Sequence, residues 1–487
     1  MKNKTIPFTF FFIQLFILFN IVFAQTEKGI REVPITTSSD EARQLFIAGR
    51  DAMENAEVTK AIELFTEAIE EDEDFALAYL YLALIGNGSN DFENNLNKAI
   101  AHSEQISQGE KLLIQMYKSF YIDKNKKLGM EQLDKLIAMY PEDARLRFYK
   151  GVMFSQSREN DSAIVHLKEA VQLNPDYAVV HNILGYVYLD KKENEKAENE
   201  FKEYIRLAPD RPNPYDSYAD FLGNVGRYDE AIENYNKAIE IDDSFTASLP
   251  SLGQYYIRIG NFTAARKTYQ KFFESTDDIS TKLYAMRLEK IISYLYEDKI
   301  DEALNNFKEY RDYVIKVNDQ KETALSYAYE GFVITENGRT ADGLKKFQEF
   351  VSQMEKLELP QEQKNNLIAH ANLDLAYAYA MNNELPDAKG KTELSRIEAD
   401  KKSDPALTTK YEWTLGFIEF KGGNYDKMIE RMKGINGLDA LKTYYLAQAF
   451  QKSGDKVTAE KLLKEARNAN INSWLTAVVW KRINEEF

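Results

Sequence analysis

Four alanines, Ala163, Ala197, Ala231 and Ala265, stand 34 residues apart, and the positions around them keep the same beat. Twelve residues before each lies another small residue, Gly151, Gly185, Ala219 or Gly253, and four residues after each lies Leu167, Phe201, Tyr235 or Tyr269. Pro141, Pro175 and Pro209 recur at the same interval, with Asp243 in the fourth place. Such a period commits a chain to a stack of like supersecondary units. Within Ala178 to Pro209, Ile183, Leu184, Val187 and Tyr188 recur at helical spacing, Lys191 to Asn194 breaks the pattern, and Ala197, Phe201 and Ile205 resume it. Each unit is therefore predicted to hold two amphipathic helices. The small residue on one lets the axes approach, and the larger residue on the other fills the groove beside it. One pair cannot bury its apolar face alone, so neighbours must stack.

Composition agrees. Among 487 residues there are only 22 Gly and 11 Pro, too few for the frequent turns that strands require. The small-residue, aromatic and terminal-proline pattern of Leu184-Gly185, Tyr188, Ala197, Phe201 and Pro209 resembles the tetratricopeptide repeat family. The resemblance implies an all-α fold, a right-handed superhelical solenoid of antiparallel helix pairs with about 10–12 repeats. Looser copies are marked by Gly49, Ala61, Phe65 and Ala68, then by Tyr79, Leu82 and Ala83. Beyond Phe273 the beat stretches through Ala303 and Phe307, Gly331 and Phe347, and Ala376 and Ala388. The expected organisation is a signal peptide over 1–24, a flexible segment over 25–39 and an N-terminal array over 40–274 with regular repeats at 144–272. Degenerate helical repeats follow over 275–487, closed by a capping helix at 474–487. Ser275 to Thr281, rich in Ser, Thr and Asp, is the expected internal boundary.

Lys2 and Lys4 precede an apolar stretch from Phe8 to Phe23, and Val22-Phe23-Ala24 offers a small-x-small cleavage site before Gln25. Export is the expectation, with an uncleaved anchor as the alternative. No second such stretch exists, so the mature chain is expected to have no stable membrane insertion. A secreted eukaryotic chain of this size would normally carry disulfides, and this one has no Cys. That points to a bacterial envelope, with the periplasm ahead of full secretion. The formal net charge of −16 repels phosphate backbones, so nucleic acid is not an expected partner.

The inventory for chemistry is thin. The histidines are His102, His166, His181 and His370, none at the spacing of a helical zinc pair. Gly390-Lys391-Thr392 ends like a phosphate loop, but Leu385 stands where its first glycine is needed. Asp123, Asn125 and Asp134 echo a calcium loop, with Lys127 where an oxygen ligand belongs. Glu70 to Asp74 reads as a solvated helix end. No catalytic residue, no metal site and no cofactor is assigned, and the chain is expected not to be an enzyme.

In the family it resembles, the first helix of each unit lines a concave face that binds extended peptides or partner helices. Carried across, the inward positions are Arg145, Phe148 and Val152, then Val179, Asn182 and Tyr186, then Asn213, Asp216, Asp220 and Asn224, then Gln254, Ile257 and Arg258. The partner-binding groove is expected at Asn182, Tyr186, Asp216, Asp220, Asn224, Gln254 and Arg258. Amide side chains there can grip a peptide backbone, and Asp216 with Asp220 would favour a basic side chain. The Lys and Asn clamp of chaperone-binding members keeps only Asn182. The expected function is a non-enzymatic exported scaffold for a protein or peptide partner, with self-association open. The alternative is a carbohydrate-binding or nutrient-uptake accessory protein on the same core, against which stand the absent Cys and the late position of Trp413, Trp474 and Trp480.

Overall fold

The computed structural model describes residues 31–86, 89–401, 404–469 and 472–485. The expected signal peptide, residues 1–24, lies outside them. The chain divides into two compact units, Met1–Phe245 and Thr246–Phe487. Ser275 to Thr281 falls inside the second, where it joins two helices. Among the described residues every regular element is helical, and consecutive helices pack in pairs, giving the expected all-α solenoid.

The first unit holds six hairpins: α1 (Asp40–Glu54) with α2 (Val58–Glu71), α3 (Ala76–Ile85) with α4 (Ser89–Ala101), and α5 (Gln108–Tyr121) with α6 (Lys126–Met139). Then come α7 (Ala144–Gln156) with α8 (Asn160–Leu173), α9 (Ala178–Asp190) with α10 (Asn194–Leu207), and α11 (Pro212–Asn224) with α12 (Tyr228–Ile241).

The second unit opens with α13 (Leu249–Arg258) and α14 (Phe262–Glu274). Next, α15 (Ile279–Arg287) runs through a π-helical turn at Leu288–Ile292 into α16 (Ser293–Tyr296) and pairs with α17 (Ile300–Lys316). The remaining pairs are α18 (Gln320–Glu336) with α19 (Thr340–Lys356), α20 (Gln361–Met381) with α21 (Leu385–Asp400), α22 (Pro405–Lys421) with α23 (Tyr425–Met432), and α24 (Ala440–Ser453) with α25 (Lys456–Arg467). Two short helices, α26 (Trp474–Ala477) and α27 (Trp480–Glu485), end the unit.

The 34-residue beat has a steric cause. A Cβ built on Gly49, Gly151, Gly185 or Gly253 would lie 2.8, 2.6, 2.7 or 2.3 Å from the side chain sixteen residues on, which is Phe65, Leu167, Phe201 or Tyr269. All four of those side chains are fully buried, as are Ala163, Ala197, Ala231 and Ala265. Each of these four hairpins thus closes on a missing Cβ that a ring or leucine fills. The turns keep the beat too, since Arg158, Lys192, Gly226 and Gly260 all hold left-handed φ values of 58, 61, 85 and 77°. Gly390, inside α21, is the counter-example, because nothing lies within 4 Å of its would-be Cβ. Gly390→Ala is expected to raise stability by about 0.5–1 kcal/mol through helix propensity alone. A lower denaturant midpoint would contradict that reading of the site.

Residues 31–38, part of the segment expected to be flexible, run past the C-terminal end of α2 and the N-terminal ends of α5 and α7. The Val33 N–H donates to Asp143 Oδ2 at 3.0 Å, and the Ser38 N–H donates to Asp72 Oδ2 at 2.8 Å. Between them the Thr36 N–H and hydroxyl donate to the two oxygens of Glu110 at 2.7 and 2.6 Å. Glu110 also closes a capping box with Ser107 at the start of α5. Backbone donors of any sequence serve such contacts, which is why the segment's composition does not announce them. Glu110→Ala is expected to speed hydrogen exchange at the Thr36 amide by about 100-fold, since several hydrogen bonds to one buried carboxylate are lost together. Unchanged protection would mean the strap is held by its other contacts.

Candidate functional site on the inner faces

In the first unit, side chains far apart in sequence meet where the first helices converge. Glu54, at the last turn of α1, accepts a hydrogen bond from Tyr177 at 2.9 Å, and Arg145 of α7 lies 3.7 Å from the same carboxylate. The Arg145 guanidinium stands 5.8 Å from the Tyr177 ring centre and also reaches Glu32 at 3.1 Å. Tyr81 and Tyr149 share a hydrogen bond of 2.7 Å across α3 and α7. Arg211, the cap of α11, bonds Asp51 in the last turn of α1 and Glu57, the N-cap residue of α2. Burial lifts the Glu54 carboxyl above the ordinary range, against the pull of Arg145 and Tyr177. This part of the inner face is therefore filled by the chain's own charges and phenols.

The predicted groove positions separate into two groups. Asn182, Tyr186, Asp216, Asp220 and Asn224 belong to the first unit, and Gln254 and Arg258 to α13 of the second. Tyr186 and Asp220, equivalent neighbours one repeat apart, are brought together, with the Tyr186 hydroxyl donating to Asp220 Oδ2 at 3.1 Å. Tyr235 donates to the other oxygen of Asp220. Burial raises the Asp220 carboxyl above its usual range and pushes the Tyr186 phenol up, the latter helped by the Asp220 charge. Asp220 thus spends both oxygens on tyrosines rather than presenting an open carboxylate. Asn224 is exposed, and its side chain donates to the Asp220 carbonyl at 2.8 Å. Asn182 and Asp216 are half-buried on α9 and α11. Of the other inward positions, Asn213 is buried and donates to the Tyr204 hydroxyl at 2.9 Å.

The histidines are each paired with a carboxylate, as His102 with Asp74, His166 with Glu169, His181 with Glu200 and His370 with Asp404. Asn125 caps α6 by accepting from the Leu128 N–H, a structural use of the residues that echo a calcium loop.

The second unit carries an arrangement that sequence reasoning missed. Helices α26 and α27 pack on the last hairpin and also cross the first helices of earlier ones. Trp474 packs on Phe332 and Tyr329 of α18, at 4.8 and 5.4 Å between ring centres. Trp480 meets Tyr296 edge-on at 5.3 Å, and Lys481 pairs with Asp298 at 2.7 Å. Ahead of α26, Asn472 accepts from the Tyr269 hydroxyl at 3.1 Å. Arg482 pairs with Glu336, whose side chain is fully buried, while Tyr377 and Tyr445 donate to the same carboxylate. Beside Trp474 lies a cavity of about 180 Å³ lined by Tyr329, Tyr377, Lys410, Trp413 and Lys442 among others. One sequence signal points to such sites, since Glu54 and Glu336 both end a helix, where a carboxylate opposes the macrodipole and needs a compensating partner.

Family models described as tetratricopeptide repeats match residues 48–105, 155–219 and 213–245. No curated protein sequence matches the chain. Among solved structures, a tetratricopeptide repeat protein from Parabacteroides merdae ATCC 43184 is similar at 14% identity over 66% of this chain and 98% of its own, with a TM-score of 0.37. YrrB, described as a TPR protein with an unusual peptide-binding site, is 18% identical over 37% of this chain and 91% of its own, with a TM-score of 0.30. PilW, a type IV pilus biogenesis factor, is 15% identical over 44% and 99%, with a TM-score of 0.30.

Proposed function

Because this chain is a tetratricopeptide-repeat protein, we propose that it is a non-enzymatic scaffold that recruits a protein or peptide partner through the inner faces of its helix pairs. One observation carries the reading. Buried positions repeat with the beat, as in the four zero-exposure alanines, whereas equivalent inner positions on successive first helices differ, as Asn182 and Tyr186 do from Asp216 and Asp220. Folding constrains the buried positions and leaves the inner ones free to carry a changing pattern of polar groups. A stack that reads a partner needs it, because specificity comes from the pattern of polar groups along the surface.

The site of action in this proposal is the cell envelope, on the strength of Lys2, Lys4, the Phe8 to Phe23 stretch and Ala24. N-terminal sequencing of the protein from a periplasmic fraction is expected to begin at Gln25, and retention of Met1 in a membrane fraction would replace the soluble reading with an anchored one. The scaffold itself is tested by a crosslinking pull-down from the native envelope with wild type and an Asp216→Lys, Asn224→Arg variant, followed by rebinding of the purified captured protein. Saturable rebinding that weakens tenfold or more in the variant supports recruitment through the first unit. Capture of glycan without protein would establish the carbohydrate alternative in its place.

A further inference from the structure

We propose that the inner face of the second unit is a docking groove for a partner segment that presents two aromatic side chains followed by an arginine, and that the chain's own residues 472–485 hold this groove in cis until such a partner displaces them. The proposal rests on the scaffold reading above and gives the groove its ligand chemistry.

The complement is written in the surroundings of the segment now seated there. Trp474 enters a ring cluster of Tyr329 and Phe332, and Trp480, six residues on, meets Tyr296. Arg482 supplies a guanidinium to Glu336, a carboxylate with no exposed side-chain surface that also takes hydroxyl bonds from Tyr377 and Tyr445. The Arg482 group stands 5.0 Å from the Tyr444 ring centre as well. The groove therefore asks for aromatic faces at one end and a delocalised, planar cation at the other, a combination that arginine meets and lysine does not.

Two observations mark the seated segment as replaceable. Its helices span 4 and 6 residues, far below the length at which a helix holds itself together, so its order depends on side-chain docking alone. Its fit is also incomplete, because a cavity of about 180 Å³ remains between Trp474 and Leu475 on one side and Tyr329, Tyr377, Trp413 and Lys442 on the other. The space is partly open, and a larger aromatic or aliphatic side chain entering it would gain dispersion contact with apolar walls that the seated segment leaves uncovered. A tethered segment competes at an effective concentration on the order of millimolar. If it is docked in 99 of 100 molecules, a competitor's apparent Kd rises about 100-fold over that of the open groove.

The test titrates a fluorescein-labelled peptide of residues 472–485 into the full mature chain, its Trp474→Ala, Arg482→Ala variant, and that variant with Glu336→Gln added. The expected result is binding at least tenfold tighter to the double variant than to wild type, lost again when Glu336 is replaced. As a control that leaves the groove intact, the cysteine-free chain is given Asp298→Cys and Lys481→Cys and closed with a reducible bis-maleimide. With Trp474 and Arg482 kept, peptide binding is expected to be abolished in the locked chain and to return to the unlocked level after reduction. Equal binding to wild type and to a double variant that keeps its helical circular dichroism, or no binding to either, overturns the proposal. So does a wild-type dimer in which the tail is exchanged between copies. A partner from the envelope pull-down that binds the locked protein undiminished would leave the scaffold standing and remove this groove from it.

Discussion

Replacing Phe201 with alanine is expected to cost the first unit about 3–5 kcal/mol, the range for emptying a fully buried aromatic site, read as a lower urea midpoint with an unchanged slope. The ring fills the space left by Gly185, whose built Cβ would lie 2.7 Å from it. Gly185→Leu is expected to cost about 1–3 kcal/mol from the opposite direction, because the added side chain must displace the Phe201 ring or separate the two helices. The pair should couple. Phe201→Leu reproduces the Gly151 and Leu167 pairing found one repeat earlier and is expected to cost under about 1.5 kcal/mol. Combined with Gly185→Ala, it should lose less than the sum of the single changes. The fifth hairpin sits inside the stack, so its failure removes the neighbours of two others, and the loss is expected to propagate. A Phe201→Ala protein within about 1 kcal/mol of wild type would mean that the beat does not report hairpin closure.

Arg145→Ala is expected to be as damaging at neutral pH. It leaves the mostly buried Glu54 carboxylate with the Tyr177 hydroxyl and the more distant Arg50 as its remaining stabilising groups. Removing one partner of a buried ion pair costs about 3–5 kcal/mol. The pH dependence follows from the direction of the Glu54 shift. Burial already raises its carboxyl above the unfolded value of 4.5, and loss of the guanidinium raises it further. Between the unfolded and folded values the native state binds more proton than the unfolded state, so stability is present at low pH and falls as pH rises. The deficit of Arg145→Ala relative to wild type should accordingly be small below the unfolded value of 4.5 and grow as pH rises above it. Arg145→Lys should not restore stability, because the group also lies against the Tyr177 ring. The matched pair Glu54→Gln, Arg145→Met should recover most of the loss. A pH-independent deficit would assign the effect to lost packing.

These two sites show what a repeat makes legible. The small-to-aromatic spacing of Gly185 and Phe201 is a contact between adjacent helices, so a local period reports it, and the same offset recovers Gly49 with Phe65 and Gly331 with Phe347 even where the unit length drifts. Arg145 and Glu54 are 91 residues apart in the chain and meet only because several hairpins turn their first helices the same way. No period of 34 encodes that. The strap at 31–38 escapes notice for another reason, since three of its donors, at Val33, Thr36 and Ser38, are backbone N–H groups that every residue but proline owns. At the predicted groove, the polar stripe on α9 and α11 is legible from the density of Asn and Asp on one face. That Asp220 is taken by Tyr186 and Tyr235 is not, because Tyr235 reads as a packing residue and its hydroxyl reaches past the core. Two of the late tryptophans anchor the segment that crosses the second unit, a role that their position in the sequence does not announce.

The central claim is that partners are read by the first helices. It is tested most directly by placing a photocrosslinking benzoylphenylalanine at Asn224 on α11 and, separately, at Glu203 on α10 or Lys237 on α12, then irradiating in the native envelope. One recurrent protein is expected to crosslink from Asn224 and none from the second-helix positions. Crosslinks confined to Glu203 and Lys237 would put recognition on the opposite faces and contradict it.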